Sequence, residues 1–413
     1  MYYRSFFSLM IYDVVIAGAG PAGFGAAMGA ARMGKKVLVF DRNSGPGGVA
    51  SYCGCPVFAG LRSFIPEESG GAAGIFAESM KDNSKIWSDY KLNSSEFSVS
   101  LMMSRLLRNA GVDLLFYVEL TDVKVENGVI TSVTVTGCGK HIEIKGKNFV
   151  DCTGDAVLAH MAGAETQTGS ADETMTKTLL FRVTGVENYD RDLCTKAFEE
   201  GNFPFSHQDR FMGTPVGENG EDFLLNLTAV SGCAQDPVEL TKMDMELKEQ
   251  IPVVLEWAKK TLPGFANCHL VAVAPIIGVR GGRNIMGVEN ITTQDLQENT
   301  PVAEPVAIGK RSYGEHYIKT FIAPWAFWKG GGPREVPYGA LRSVNITNLA
   351  AGGRAISIEP KAVSAIRLMP VCIATGQAAG IAAAMDFPEY PLLRQELINQ
   401  KCKFELKKES WDQ

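Results

Sequence analysis

The sequence has little of what marks nucleic-acid-binding, membrane-spanning or disulfide-rich proteins. It carries 40 Lys and Arg against 46 Asp and Glu, which gives a formal net charge of -6, and it has no basic run or stripe. We therefore expect no nucleic-acid partner. Its apolar stretches are too short, or too interrupted by glycine, to cross a bilayer, so we expect no membrane partner. The nine cysteines are an odd number without the spacing of a disulfide framework, which favours reduced thiols and a cytoplasmic location.

Metal-ligand spacing is also missing. No Cys-x-x-Cys pair occurs, and we predict no metal site. A chain of 413 residues with 46% hydrophobic and 21% charged residues is typical of a globular protein with two domains. The 43 glycines indicate that the backbone approaches a ligand closely. The N-terminal run through Ile11 loosely mimics a signal peptide, but cleavage after it would cut into the first predicted strand.

A glycine-rich turn near the N-terminus lies between a predicted strand and a predicted helix. The strand covers 14–17, the turn is Gly18-Ala19-Gly20-Pro21-Ala22-Gly23, the helix covers 22–33, and Asp41 follows a second strand over 36–40. In such a unit the glycines permit a tight turn, close approach of the backbone to a pyrophosphate, and close packing of the helix on the sheet. The acid can accept hydrogen bonds from ribose hydroxyls. The plain alternative is a turn that merely packs tightly.

Further along, the pattern predicts loop over 44–75, a helix over 96–109, and then strands. Asn127-Gly128 between two β-branched runs is a strong hairpin signal, and a second turn over 137–140 completes a three-stranded meander. The meander feeds a strand that ends in Asp151-Cys152-Thr153-Gly154-Asp155. A helix is predicted over 364–385, where small residues allow close packing against a backbone.

Four blocks together resemble the FAD-dependent oxidoreductases of the glutathione-reductase-like fold, neighbours of the fumarate-reductase-type flavoproteins. They are 14–42 with Gly47-Gly48, then 149–156, 277–287 and 337–385. The resemblance implies an α/β fold with a discontinuous, Rossmann-like FAD-binding domain that includes a β-meander, formed by 1–160 and 336–413. It also implies an α+β substrate or cap domain over 161–335.

The resemblance further implies which residues meet FAD. The start of the last long helix should face the flavin, where its dipole stabilises negative charge on the reduced ring. Gly353 and Arg354 should approach the pyrophosphate and ribityl chain, and Leu120 should present its backbone to the adenine. The full predicted set is Gly18, Gly20, Pro21, Ala22, Gly23, Asp41, Arg42, Gly47, Gly48, Leu120, Thr153, Gly154, Asp155, Gly353, Arg354, Arg367, Leu368 and Met369.

The candidate catalytic residues are Arg280, Arg283 and His316. An arginine in Gly278-Val279-Arg280-Gly281-Gly282-Arg283 could clamp a substrate carboxylate, or it could be a structural arginine paired with an acid at the domain interface. Family members carry bulkier residues where Gly281 and Gly282 stand. His316 could donate or accept a proton beside hydride transfer, or serve only as a structural histidine.

Two cysteines follow the second glycine pair. Cys53 and Cys55 should lie near the flavin, but their spacing is poor for a mutual disulfide and differs from that of a redox dithiol. A thiol adduct, covalent attachment of the flavin and contact with substrate stay open. Unreactive loop cysteines are the favoured interpretation.

We therefore predict an FAD-dependent oxidoreductase that moves a hydride between flavin N5 and a small substrate at the domain interface. The chain has no second Gly-x-Gly-x-x-Gly segment for a pyridine nucleotide, so such a nucleotide would have to meet the flavin directly, or a redox protein or a quinone would serve as electron partner. One alternative is a flavin-carrying electron-transfer subunit of a larger complex. Another is a nucleotide-binding protein without redox activity.

Overall fold

The structure of the protein is a computed structural model that describes residues 10–61, 71–81, 85–88, 91–171, 173–206, 210–217, 219–298, 300–309 and 334–405. Its strands are β1 (Ile11–Ala17), β2 (Val37–Phe40), β3 (Val57–Ala59), β4 (Lys85–Ser88), β5 (Lys91–Asn93), β6 (Asp113–Leu115), β7 (Glu119–Glu126), β8 (Val129–Gly137), β9 (Lys140–Asp151), β10 (Thr166–Thr168), β11 (Phe181–Thr184), β12 (Gly213–Val216), β13 (Asp222–Leu225), β14 (His269–Val273), β15 (Arg283–Ile285), β16 (Pro305–Gly309), β17 (Arg334–Pro337) and β18 (Leu349–Ala351). Its helices are α1 (Pro21–Ala31), α2 (Ala72–Ser79), α3 (Glu96–Asn109), α4 (Val157–Met161), α5 (Arg191–Glu200), α6 (Pro237–Thr261), α7 (Thr293–Glu298), α8 (Met369–Ala384) and α9 (Tyr390–Asn399).

The main sheet is mixed and contains a parallel core. Strand β1 pairs in parallel with β2 and β9, β6 joins β2 in parallel, and β18 joins β9 in parallel. Strands β7 and β8 extend the other half of β9 as an antiparallel meander. The carboxyl ends of β1, β2, β9 and β18 meet at one edge, which is where ligands bind in open α/β sheets. This is a Rossmann-type arrangement.

Helices α1 and α8 pack with almost no space between their backbones. A Cβ on Gly25 would lie 2.0 Å from the carbonyl oxygen of Ile373, and one on Gly376 would lie 2.0 Å from that of Ala22. A Cβ on Gly380 would lie 2.0 Å from the carbonyl oxygen of Ala26. The small residues predicted to let the last helix approach a backbone therefore lie against the helix that follows the first glycine turn. This contact fixes the starts of both helices at the same edge of the sheet.

We expect Gly380→Ala to destabilise the protein strongly, because its Cβ would overlap a backbone carbonyl that cannot move independently of α1. Overpacking of this kind typically costs about 3 kcal/mol, and more where backbone is involved. Chemical denaturation of the ligand-free protein, followed by far-UV circular dichroism, measures the loss. Gly20→Ala is the matched control, since a Cβ there has no protein atom closer than 3.8 Å. Equal unfolding midpoints for the two variants would contradict this account of the helix pair.

A second sheet, in the order β12-β13-β11-β14, has two chemically different faces. Alternate residues on one face, including Phe181, Phe223 and Leu225, pack on α5 and α6 in a second hydrophobic core. Helix α6 contributes buried residues at helical spacing, among them Leu247 and Ile251. Because side chains alternate across a strand, the residues between them face the other way. That second face borders the cleft described below.

Three element predictions differ from the structure. The meander does not feed a separate strand, because β9 runs unbroken for 12 residues and pairs with β8 by one half and β1 by the other. The segment 44–75 is not all loop, since it holds β3 and the first residues of α2. The helix predicted from Ser364 begins at Met369, because Pro370 fits the first turn of a helix but not its interior.

The predicted division into domains stays a prediction. Buried residues from the middle of the chain, including Ile285, Ile291 and Val306, pack in the same core as β1 and α8. Within the described residues, no helix is long and apolar enough to span a membrane.

Candidate functional site

A cleft of about 1150 Å³ runs from the carboxyl edge of the main sheet to the open face of the second sheet. Ligand pockets commonly measure about 300–1,000 Å³, so this one has room for an unusually large ligand or for two ligands together. Its first half is lined by the predicted cofactor residues Gly18, Gly20, Pro21, Ala22, Asp41, Arg42, Gly48, Leu120, Thr153, Gly154, Asp155, Gly353, Arg354, Arg367, Leu368 and Met369. Its second half is lined by other residues, including Leu180, Met212, Thr214, Leu224 and Asn226.

The glycines of the first turn are explained by different neighbours. Gly18 has φ +96°, and a Cβ there would lie 2.5 Å from the carbonyl oxygen of Cys152. A Cβ on Gly23 would lie 1.9 Å from the carbonyl oxygen of Gly18, so Gly23 serves packing and does not line the cleft. Gly20 has an ordinary φ of -70° and nothing closer than Gly48 Cα at 3.8 Å. The protein itself gives no reason for glycine at position 20, whereas a ligand pressed against the backbone there does.

Asp41 is tied to the glycine turn as well as to the cleft. Its Oδ2 accepts the N–H of Ala19 at 2.6 Å, and its Oδ1 accepts the backbone and side-chain N–H groups of Asn43 at 2.8 Å each. A carboxylate offers about four lone-pair positions, so room for a ribose hydroxyl is left. Asp41 therefore shapes the turn, and its predicted contact with ribose stays a proposal.

The second glycine pair closes over the first. The N–H of Gly47 donates to the carbonyl oxygen of Ala19 at 2.9 Å, which holds the two loops together. Gly48 has φ +48°, and a Cβ on it would lie 2.8 Å from Gly20 Cα. Gly48 borders the cleft and Gly47 does not, so Gly47 serves loop geometry.

Two helix starts open on the cleft. Helix α1 begins beside Gly20 and α8 begins beside Leu368, and neither start has a capping side chain that accepts from its first N–H groups. These N–H groups and the helix dipoles favour an anion or an electron-rich oxygen. Such a pair of donors fits the central pyrophosphate of FAD and the pyrimidine oxygens of its flavin ring.

A half-buried ion pair joins the end of β9 to the turn after β18. Arg354 donates to both oxygens of Asp155, with Nη1–Oδ1 at 2.6 Å and Nη2–Oδ2 at 2.7 Å. Burial alone would lower the pKa of Arg354, but the charge and hydrogen bonds of Asp155 outweigh it and raise that pKa. A Cβ on Gly154 would lie 2.9 Å from the guanidinium, and one on Gly282 would lie 1.9 Å from Asp155 Oδ1. The departure from the family at Gly282 is thus explained by this ion pair.

The cleft is lined by more positive than negative side chains. Its arginines are Arg42, Arg191, Arg210, Arg280, Arg354 and Arg367, and its acids are Asp41, Glu119 and Asp155. The whole chain carries a net charge of -6, so this surplus is local. A positively lined cleft concentrates anionic ligands.

Cys53 and Cys55 both border the cleft. The Cys53 thiol lies 3.6 Å from the carbonyl oxygen of Ile277, and burial raises its pKa to about 12. A thiol with this pKa stays protonated through neutral pH, and the thiolate is the reactive form. The structure therefore favours the interpretation of Cys53 as an unreactive loop residue.

Alkylation tests this assignment. We expect iodoacetamide at pH 8 to label Cys53 at least about a hundredfold more slowly than the exposed Cys138, because a rise of the pKa from 9.0 to about 12 removes most of the thiolate. Peptide mass spectrometry over a time course measures both rates. Labelling of Cys53 as fast as that of Cys138 would show a reactive thiol in the cleft.

The three candidate catalytic residues are in different situations. Arg280 borders the cleft but is 9% exposed, and it donates to Thr176 O at 2.8 Å and to Asn226 Oδ1 at 2.7 Å. Arg283 lies on β15 opposite Thr168 and does not line the cleft, which separates it from the predicted clamp. His316 lies outside the described residues.

Several cleft residues were missed by the sequence analysis. Asn226, Thr178 and Thr214 are polar residues on the open face of the second sheet. The alternation in Phe-Leu-Leu-Asn-Leu-Thr over 223–228 carries a signal, because a polar residue in a buried strand needs a partner or a ligand.

Among the described residues, no group of three or more His, Cys, Asp or Glu side chains could hold a metal ion.

Comparison with known proteins gives one match over nearly the whole chain. The family model described as FAD dependent oxidoreductase matches residues 13–395. Curated relatives match only in part: the soluble pyridine nucleotide transhydrogenase of Marinomonas sp. (strain MWYL1) is 46% identical over 56 residues, 14% of this chain and 12% of that protein. The transhydrogenase of Ectopseudomonas mendocina (strain ymp) is 54% identical over 54 residues, 13% of this chain and 12% of that protein.

Solved structures share the fold across the chain. A geranylgeranyl bacteriochlorophyll reductase-like protein from Thermoplasma acidophilum superposes with a TM-score of 0.51 at 14% identity, covering 95% of this chain and 84% of its own. The p-nitrophenol 4-monooxygenase of Pseudomonas putida DLL-E4 gives 0.52 at 12% identity, covering 95% and 85%. At these identities the likeness concerns the fold alone.

Proposed function

We propose that this chain, which belongs to the FAD-dependent oxidoreductase family, transfers a hydride between flavin N5 and a small substrate that binds on the open face of the second sheet. The chain is an enzyme of that family, and its cofactor is FAD. The observation that carries the proposal is the continuity of the cleft. The residues that fit FAD and the mostly apolar open face of the second sheet border the same cavity.

The residues at the first half of the cleft suit FAD for physical reasons. Gly20 leaves space against the backbone, and the free N–H groups at the start of α1 can bind the pyrophosphate. The start of α8 places further N–H groups where electron density grows when a flavin is reduced. Arg354 is held rigidly by Asp155, so it offers a fixed positive charge beside these donors. When bound, FAD supplies the hydride chemistry.

The second half of the cleft suits a small organic substrate. Leu180, Met212 and Leu224 give it an apolar lining, and Thr178, Thr214 and Asn226 give it a few polar groups. Apolar walls with few fixed polar groups are typical of small-molecule sites. Apolar walls also exclude water from the reacting groups, which strengthens the electrostatic interactions among them.

We further propose that the fold is of the glutathione-reductase-like type, supported by the meander β7–β9 that leads directly into the parallel core. The sequence has a single Gly-x-Gly-x-x-Gly segment, so we propose that a redox protein or a second small molecule exchanges electrons at the same cleft. The short match to transhydrogenases covers too little of either protein to identify that partner.

Anaerobic mixing tests the proposed function. The FAD-loaded protein is mixed with a panel of 2-hydroxy acids and saturated carboxylic acids, and the photoreduced protein with 2-oxo acids and α,β-unsaturated carbonyl compounds. We expect at least one compound to bleach the oxidised flavin, or to restore the colour of the reduced flavin. The change should be complete within seconds of mixing in a stopped-flow instrument. Silence across both panels would count against a small-molecule substrate and would favour the alternative of an electron-transfer subunit.

A further inference from the structure

Where the open face of the second sheet borders the cleft, it carries a polar cluster around Asn226. Asn226 follows β13, and its backbone N–H donates to the carbonyl oxygen of Met212 at 2.9 Å, which continues the pairing of β12 with β13. Leu224 lies two residues earlier on the same face, and both residues border the cleft. Asn226 is therefore a half-buried amide in a mainly apolar wall.

The orientation of this amide is fixed by its neighbours. Arg280 Nη2 lies 2.7 Å from Asn226 Oδ1, and Thr178 Oγ1 lies 3.1 Å from the same atom. A guanidinium can only donate hydrogen bonds, so the atom facing it must be the amide oxygen and the other end must be the NH₂ group. Within the described part of the chain, that NH₂ group has no protein acceptor.

The guanidinium of Arg280 is also hydrogen-bonded on the side away from Asn226. Its Nη1 donates to the carbonyl oxygen of Thr176 at 2.8 Å and to the hydroxyl of the same residue at 3.1 Å. The single hydroxyl proton of Thr178 is shared between Asn226 Oδ1 at 3.1 Å and the carbonyl oxygen of Thr228 at 2.8 Å, so Arg280 is the stronger of the two donors to the amide oxygen. If the side-chain amide of Asn226 rotated by 180°, its NH₂ group would point at the buried guanidinium of Arg280, which has no acceptor for it. The amide is therefore held in one orientation.

We propose that the side-chain amide of Asn226 is a preoriented hydrogen-bond donor for the carbonyl or carboxylate oxygen of the substrate, and that Arg280 acts through Asn226 as a positioning residue. The inference rests on the proposed function, since it names the group that the substrate must carry. The apolar neighbours require the rest of that substrate to be largely hydrocarbon. The surplus of arginines around the cleft favours an anion over a neutral molecule.

This assignment gives Arg280 a different role from a bidentate carboxylate clamp. At least three of its N–H directions are already used by Thr176 and Asn226, which leaves the paired geometry of a clamp incomplete. The positive charge still matters, because it polarises the amide of Asn226 and makes its N–H groups stronger donors.

Calorimetric titration of the FAD-loaded protein with benzoate tests the proposal. Benzoate combines a carboxylate with an apolar ring, and its binding needs no turnover. Asn226→Asp keeps the size and the two contacts to Arg280 and Thr178 but replaces the donor by an acceptor. We expect the Kd for benzoate to rise at least about 30-fold, the loss that follows when a hydrogen bond to a charged group is removed.

Two further variants serve as controls for this titration. Asn267→Asp makes the same chemical change at an exposed position outside the cleft and should alter the Kd less than about twofold. Asn226→Ala removes the donor without adding charge and should also weaken benzoate, which covers the case in which Asn226→Asp fails to fold. Unchanged affinity in a folded Asn226 variant, or no benzoate binding by the wild-type protein, would overturn the proposal.

A double-mutant cycle separates the positioning role of Arg280 from a direct contact. We expect Arg280→Met to raise the Kd for benzoate about tenfold when Asn226 is present, and less than twofold in the Asn226→Ala background. Equal losses in both backgrounds would mean that Arg280 acts on the ligand independently of Asn226 and would overturn the positioning role. These titrations can succeed while the anaerobic panels stay silent, or fail while a panel compound reacts, so the two proposals fail separately.

Discussion

Gly20→Ala is expected to give a stably folded protein that no longer retains FAD. The position has an ordinary backbone conformation, extended as the residue before Pro21 requires, and alanine adopts it without strain. The nearest protein atom to the new Cβ is 3.8 Å away, an ordinary contact. The methyl group would instead occupy the space in which the pyrophosphate approaches the backbone.

The expected loss of FAD affinity is on the order of a hundredfold, since an extra methyl group in a tightly packed site costs about 3 kcal/mol. Fluorescence titration of the FAD-free protein with FAD measures it, and thermal unfolding of the same FAD-free sample shows whether the fold is intact. The matched variant is Gly23→Ala, whose Cβ would overlap a carbonyl oxygen and should prevent folding. If a folded Gly20→Ala protein bound FAD as tightly as the wild type, the pyrophosphate could not lie against this turn.

Asp155→Asn is expected to destabilise the FAD-free protein by about 2 kcal/mol, the loss typical of hydrogen bonds to a charged group. The amide turns one of the two acceptors of Arg354 into a donor and leaves a half-buried cation without its counter-charge. The effect should exceed that of an exposed pair because the two side chains are held together by two short hydrogen bonds and are only about one-fifth exposed. The misplaced Arg354 should also weaken FAD binding, since its guanidinium packs against Gly154 at the edge of the cleft.

Urea denaturation measures the free energy of unfolding for this variant. Glu143→Gln is the matched control, because it breaks the exposed pair between Glu143 and Lys124, and such pairs contribute at most about 1 kcal/mol. Similar small losses for both variants would show that the Asp155–Arg354 pair is not a structural element of the cleft.

Local signals in the sequence were sufficient to predict the glycine turn that borders the first half of the cleft. The turn from Gly18 to Gly23 could be predicted because its glycines lie directly between a strand pattern and a helix pattern in the sequence. The hairpin at Asn127-Gly128 could be predicted for the same reason, since both residues have positive φ in the structure, 52° and 75°. Pro370 also carried a local signal for the start of α8, which the prediction of a helix from Ser364 overlooked.

The substrate half could not be predicted in the same way, because it depends on contacts between distant residues. Arg280 binds Asn226, 54 residues away, and Thr176, 104 residues away. The sequence around Arg280 leaves a carboxylate clamp and a structural arginine equally open, whereas the structure shows long-range pairing of its guanidinium with the protein. The unbroken course of β9 also depends on pairing, because its polar first half reads as a meander strand and its apolar second half as a buried one.

A crystal structure of the protein with FAD bound tests the central claim most directly. The account predicts the pyrophosphate against Gly20 and the start of α1, with the face formed by Thr214, Leu224 and Asn226 left open beside the flavin. That open face is the space that a substrate requires. A structure in which FAD itself covers Leu224 and Asn226, or binds away from the Gly18–Gly23 turn, would contradict the account.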